Sequence, residues 1–137
     1  MNYGDLDGIN RFYEKLRPLK LHGRSNLVKY DNLATLQKIF SPQSTFMLAY
    51  MDIINKYAEK DKEGKIALSN NSPKIIKDMV TDYNREINEL LNEECEVSFT
   101  PINLKTIMDA LDEQPDYDLG WDDNIILFFE HKGIIIR

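Results

Sequence analysis

The sequence predicts an α+β protein, predominantly α-helical, in which about five to six helices carry a small two- or three-stranded sheet. Three observations lead there. Apolar residues recur at the helical period in stretches spread over the whole chain. Over Cys95 to Phe99 the period changes to strict alternation, the mark of a half-buried strand. The chain has 137 residues, 42% hydrophobic and 29% charged, with no internal repeat or low-complexity tract. That length and composition suit a single folded domain over residues 1–137.

Leu6, Ile9, Phe12, Tyr13, Leu16 and Leu19 mark a first amphipathic helix, with Arg11, Lys15 and Arg17 on its other face and Pro18 and Gly23 closing it. A second helix follows Ser25 and carries Tyr30, Leu33, Ala34, Leu36 and Phe40 on its apolar side. Ser41 and Pro42 suit the cap and first position of a third helix, since proline lacks an amide hydrogen that would be unpaired there. Its stripe is Phe46, Met47, Tyr50, Ile53, Ile54 and Tyr57. Asp61 to Lys65, with Gly64, reads as a turn, and Ile66 to Leu68 as a short strand.

Ser72 and Pro73 repeat the start signal before a long helix bearing Ile75, Ile76, Met79, Val80, Tyr83, Ile87, Leu90 and Leu91. In the strand that follows, Cys95, Val97 and Phe99 face one side and Glu96 and Ser98 the other. Pro101 ends it, and Asn103 caps a short helix through Leu104, Ile107, Met108 and Leu111. Trp121, Ile125, Ile126, Phe128 and Phe129 fit a buried helix or a strand, and Gly133 separates a last extended piece, Ile134 to Ile136. Strand candidates on both sides of the long helix suggest a parallel pair joined by a crossover.

Charge is distributed unevenly. From Met108 to Asn124 the chain holds Asp109, Asp112, Glu113, Asp116, Asp118, Asp122 and Asp123 without a Lys or Arg, whereas the first third is basic through Arg11, Lys15, Arg17, Lys20, Arg24, Lys29 and Lys38. The formal net charge is -6, which disfavours nucleic acid as a partner overall. No apolar run approaches the roughly 20 residues that span a bilayer, so no membrane role is expected. A single cysteine, Cys95, rules out an internal disulfide, and with no secretory leader in view a reducing cytoplasm is the expected compartment.

Catalytic signatures are absent. Cys95, His22 and His131 are the only soft ligands and lack paired spacing, so neither a metal nor another cofactor is expected. Asp116, Asp118, Asp122 and Asp123 do not follow calcium-loop order. The chain is therefore expected not to be an enzyme. The acidic residues, from Asp109 to Asp123, are the first candidate partner-binding site, because closely spaced carboxylates on a rigid body can imitate a phosphate track and steer a basic partner. Some of them are expected to cap the helix near Trp121. A basic face of Arg11, Lys15, Arg17 and Arg24 is the alternative, with Phe12, Tyr13 and Tyr30 assigned to the core and not to base stacking.

Leu16 to Arg24, reading LRPLKLHGR, the turn Glu63-Gly64-Lys65-Ile66, and Glu89 to Val97, reading ELLNEECEV, together resemble small proteins of tailed phages and prophages of low-GC Gram-positive bacteria. The likeness lies in length, composition and order of elements. It implies a phage origin and a non-enzymatic role. The expected function is stoichiometric protein binding, as an assembly factor or as an inhibitor of a host or defence enzyme, in the cytoplasm of the host cell. The alternatives are a structural component of a phage particle, which implies a homo-oligomer with an exposed apolar seam, and a nucleic-acid-binding module using the basic N-terminal third.

Overall fold

The computed structural model describes all 137 residues, Met1–Arg137. The fold is α+β and predominantly helical: six α-helices, two short 3-10 turns and two separate two-stranded pieces of sheet.

Helix α1, Tyr3–Tyr13, starts where the Asn2 side chain accepts from the Asp5 amide at 2.8 Å, and it buries Leu6, Ile9 and Tyr13 at helical spacing. The expected extension to Leu19 is not helical. The chain tightens into a 3-10 turn over Glu14–Leu16, and Pro18 bars further helix, yet Leu16, Leu19 and Leu21 remain buried. Gly23, at φ +60°, turns the chain into α2, Arg24–Phe40, through a conformation that disfavours other residues.

The buried face of α2 holds the expected Leu33 and Leu36 but otherwise differs from the expected one. Lys29, Asn32, Leu33 and Leu36 point inward, while Tyr30 is 48% exposed and Ala34 is also exposed. The Lys29 ammonium donates to the carbonyls of Arg17 and Leu19, each at 2.8 Å, and lies 4.5 Å from the centre of the Tyr30 ring. A buried cation requires such compensation, and here backbone oxygens of the turn supply it. Burial, followed by the neighbouring Arg17 charge, lowers the Lys29 pKa. Asn32 donates to Tyr13 Oη at 3.1 Å and to the Thr100 carbonyl at 2.9 Å, and accepts from the Thr100 amide at 3.3 Å. Burial pushes the Tyr13 phenol up to about 12, against the lesser, opposing effect of that Asn32 bond.

Helix α3, Thr45–Tyr57, is capped by Ser44, whose hydroxyl accepts from the Met47 amide at 3.1 Å; Ser41 and Pro42 lie in the preceding turn and do not cap it. After α3, strands β1 (Leu68–Ser69) and β2 (Ser72–Pro73) pair antiparallel. The link between them, Asn70 at φ 52° and Asn71 at φ 65°, has the positive angles of a type I′ hairpin turn. Ser72 and Pro73 thus form the hairpin's return strand and do not begin a helix. Helix α4, Val80–Leu91, starts after a 3-10 turn over Lys77–Met79. It packs along α3, with Tyr57 and Tyr83 meeting edge to face at 6.2 Å, but none of its side chains is fully buried.

From Cys95 to Phe99 the expected alternation holds, with Cys95, Val97 and Phe99 half-buried and Glu96 and Ser98 exposed. The segment is extended without joining a sheet. Its start is tied to the N-terminus, where the Cys95 amide donates to the Met1 carbonyl at 2.8 Å and the Tyr3 amide to the Glu93 carbonyl at 3.1 Å. The parallel pair forms instead between β3, Ile102–Asn103, and β4, Ile135–Ile136, with Ile102 opposite Ile135. Between them run α5, Leu104–Glu113, capped by Asn103 as expected, and α6, Asp123–His131, so the run from Ile125 to Phe129 is helical.

One contiguous core joins α1, the turn after it, α2, β3, α5, Leu119, α6 and β4. Phe46, Ile54, Tyr57 and Ala58 are buried outside that core, in the α3 and α4 limb. The limb is joined to the body where Tyr3 stacks on Phe46 at 4.6 Å and Phe40 meets Phe46 edge to face at 5.5 Å.

Candidate functional site

The acidic segment runs through the second half of α5, a loop, and the first turn of α6. That loop is fastened to the basic first third of the chain at four places. The Gln114 carboxamide exchanges two hydrogen bonds with the Lys20 backbone, accepting from its amide at 3.2 Å and donating to its carbonyl at 3.0 Å. The Tyr117 hydroxyl donates to the Lys15 carbonyl. Trp121 Nε1 donates to the Phe12 carbonyl at 2.9 Å, and His22 Nε2 lies 2.6 Å from Glu113 Oε2. The two charged ends therefore meet within one molecule. They meet chiefly through backbone carbonyls of residues 12–20, and His22 with Glu113 is the one contact between two ionisable side chains among these clamps.

The carboxylates divide by role. Asp109 pairs with Lys105 at 3.0 Å one helical turn away. Asp118 accepts from the Gly120 amide at 2.9 Å and closes the loop locally. Asp122 caps α6 by accepting from the Ile125 amide at 2.8 Å, and Asp123 lies in the first turn beside the positive end of the helix dipole. Asp112, Asp116 and Asp123 make no ion pair and no side-chain hydrogen bond, and all three are exposed. Burial, with the Asp118 charge as the lesser cause, raises the Tyr117 phenol.

Beside these groups α5, the loop and α6 enclose a cleft of about 350 Å³. Met108, Leu111, Leu119, Trp121 and Ile126 are among its lining residues, together with Asp118 and Asp123; no Lys or Arg lines it. The indole is held from two sides, by its bond to Phe12 and by edge-to-face packing on Phe129 at 4.8 Å. Gly120, at φ +70°, lets the loop pass under Lys15, whose Nζ lies 3.3 Å from where a Cβ would stand. The cleft was not legible as such from sequence, because the stripe Leu104, Ile107, Met108 and Leu111 reads as core; Met108 is in fact 48% exposed.

The basic residues do not form a comparable face. Arg17 makes a two-pronged bond to Glu14, with both distances 2.9 Å, which holds the Glu14 carboxyl down and the guanidinium up. Arg11 and Lys15 lie over the Phe12 ring at 5.1 and 5.7 Å, and Lys29 is buried. Arg24 is exposed and makes no ion pair. Phe12 and Tyr13 pack into the body as expected, whereas Tyr30 does not.

Cys95 packs at the Tyr3 hydroxyl, whose pKa rises through burial first and the Cys95 contact second. Nowhere do three His, Cys, Asp or Glu side chains converge as metal ligands would. No helix is long and apolar enough to cross a membrane. The chain matches no protein-family model, no curated protein and no solved structure among known proteins.

Proposed function

We propose that the protein acts by stoichiometric binding to another protein, presenting the face formed by α5, the acidic loop and α6 to a basic surface. One observation supports this most: Asp112, Asp116 and Asp123 are left unpaired on a loop and helix ends that four separate clamps hold against the body. A flexible acidic tail would lose ordering entropy on binding, whereas carboxylates mounted on an ordered platform lose little. The likeness to small tailed-phage proteins suggests the setting, with the partner a host or defence enzyme or an assembly component.

Capture of a partner on the immobilised protein from lysate of a low-GC Gram-positive host, followed by mass measurement of the purified complex, tests this reading. The expected result is one basic partner at fixed stoichiometry, released by salt. Retention that is indifferent to replacing Asp112, Asp116 and Asp123 together by Asn would contradict it. A second reading, a component of a phage particle, draws on the exposed pairs Leu27 and Tyr30 on α2 and Leu48 and Met51 on α3, each spaced for one helix face. Light scattering distinguishes them, since a particle component forms a ring or higher oligomer of this chain alone.

A further inference from the structure

We infer that the cleft between α5 and α6 receives a basic amphipathic helix of the partner, with apolar anchors inside and Lys or Arg on the flanks. This rests on the protein-binding reading above and specifies its chemistry. A surface that merely imitated a phosphate track would need charge and shape alone. Here the carboxylates adjoin an apolar depression: Asp118 and Asp123 line it beside Met108, Leu111 and Ile126.

Size fits the occupant. A dry cavity of roughly 150 Å³ takes one benzene ring, so about 350 Å³ accommodates two side chains of that class. Two anchors one turn apart on a helix are the usual unit of groove recognition. Charge fits as well, because Asp118 and Asp123 are among the residues that line the cleft and no Lys or Arg is. The fixed indole of Trp121 makes the site preformed, which lowers the ordering cost of binding.

Trp121 is the only tryptophan and lines the cleft, so its emission reports occupancy. The probe is a synthetic peptide of about 18 residues, long enough to be helical, with Leu on one face and Lys on the other and no aromatic residue. A scrambled peptide of identical composition serves as the charge-matched control. The key variant is Met108→Glu, at an exposed position one turn from Lys105, checked for folding by circular dichroism. It adds negative charge while removing an apolar wall.

The expected result is one-to-one binding of the amphipathic peptide with a shift in Trp121 emission, about tenfold weaker binding of the scrambled peptide, and about tenfold weakening by Met108→Glu. Equal binding of both peptides, or tighter binding by Met108→Glu, would overturn the helix-in-groove inference while leaving an acidic docking face intact. Loss of binding in Met108→Glu with no effect of the triple Asp→Asn variant would instead overturn the basic character of the occupant and the reading on which it rests. A dimer of the free protein that buries Trp121 would overturn the inference in favour of a second copy.

Discussion

Replacing Tyr13 by Phe keeps the ring in the core and removes only the hydroxyl, so its effect on stability can be worked out across pH. Below pH 10 the variant loses the bond from Asn32 Nδ2, 3.1 Å long in the native protein, at a cost of about 1 kcal/mol. Asn32 keeps both of its links to Thr100, which bounds the loss. The phenol ionises near 10 when unfolded and at about 12 when folded. A group with a raised folded pKa contributes stability that is complete below its unfolded value and is lost as pH rises through its folded value. Two pKa units correspond to about 3 kcal/mol in full, of which about 1 kcal/mol is gone by roughly pH 11. The wild type is therefore the more stable protein at about pH 9, the two become equal near pH 11, and the variant is the more stable above it. The depressed Lys29 ammonium works with the opposite sign, adding stability as pH rises toward 10.5, and cancels because both proteins carry it. Urea unfolding across this range, with tyrosinate absorbance as a second signal, measures the difference. Parallel stability curves for the two proteins would refute the burial of Tyr13 and its link through Asn32 to the segment before β3.

Four further substitutions test local features. Ser44→Ala is expected to cost about 1 kcal/mol in denaturant unfolding, while Ser41→Ala stays within about 0.5 kcal/mol, because only Ser44 caps α3. Gly120→Ala forces a side chain to φ +70° and is expected to cost about 1–2 kcal/mol. Hydrogen exchange would show whether the loss is concentrated in the acidic loop, and protection unchanged there would contradict the tight turn. Trp121→Phe keeps a ring against Phe129 but removes the donor to Phe12. Faster exchange of amides 116–121 with unchanged protection in α1 is expected; equal exchange would show that this clamp does not order the loop.

The apolar stripes of α1, α3 and α5 were legible, but the end of α1 and the start of α3 were not, and the run from Ile125 to Phe129 fitted a helix or a strand equally. The errors share a physical origin. Ser-Pro pairs at 41–42 and 72–73 satisfy the local chemistry of a helix start, yet in one case Ser44 offered a cap nearer the stripe and in the other two Asn residues closed a hairpin. In α2, periodicity assigned the buried side by hydropathy, whereas Lys29 and Asn32 go inside because carbonyls of the turn and of Thr100 await their donors. Partners so far apart in the chain leave no trace in a local pattern. The same holds for the candidate site: the carboxylates were evident, but Gln114 and Tyr117 as clamps, and the cleft beside them, follow only from the folding of α5 and α6 across the first third of the chain.

The central claim concerns what the unpaired carboxylates do when a partner approaches. Its most direct test is the association rate with the captured partner, measured at low and at physiological ionic strength, for the wild type and for the Asp112→Asn, Asp116→Asn, Asp123→Asn variant. Steering by this face predicts a rate about tenfold lower in the variant at low salt, with the two proteins converging as screening shortens the reach of the charges. Equal rates and equal salt dependence for the two would contradict it.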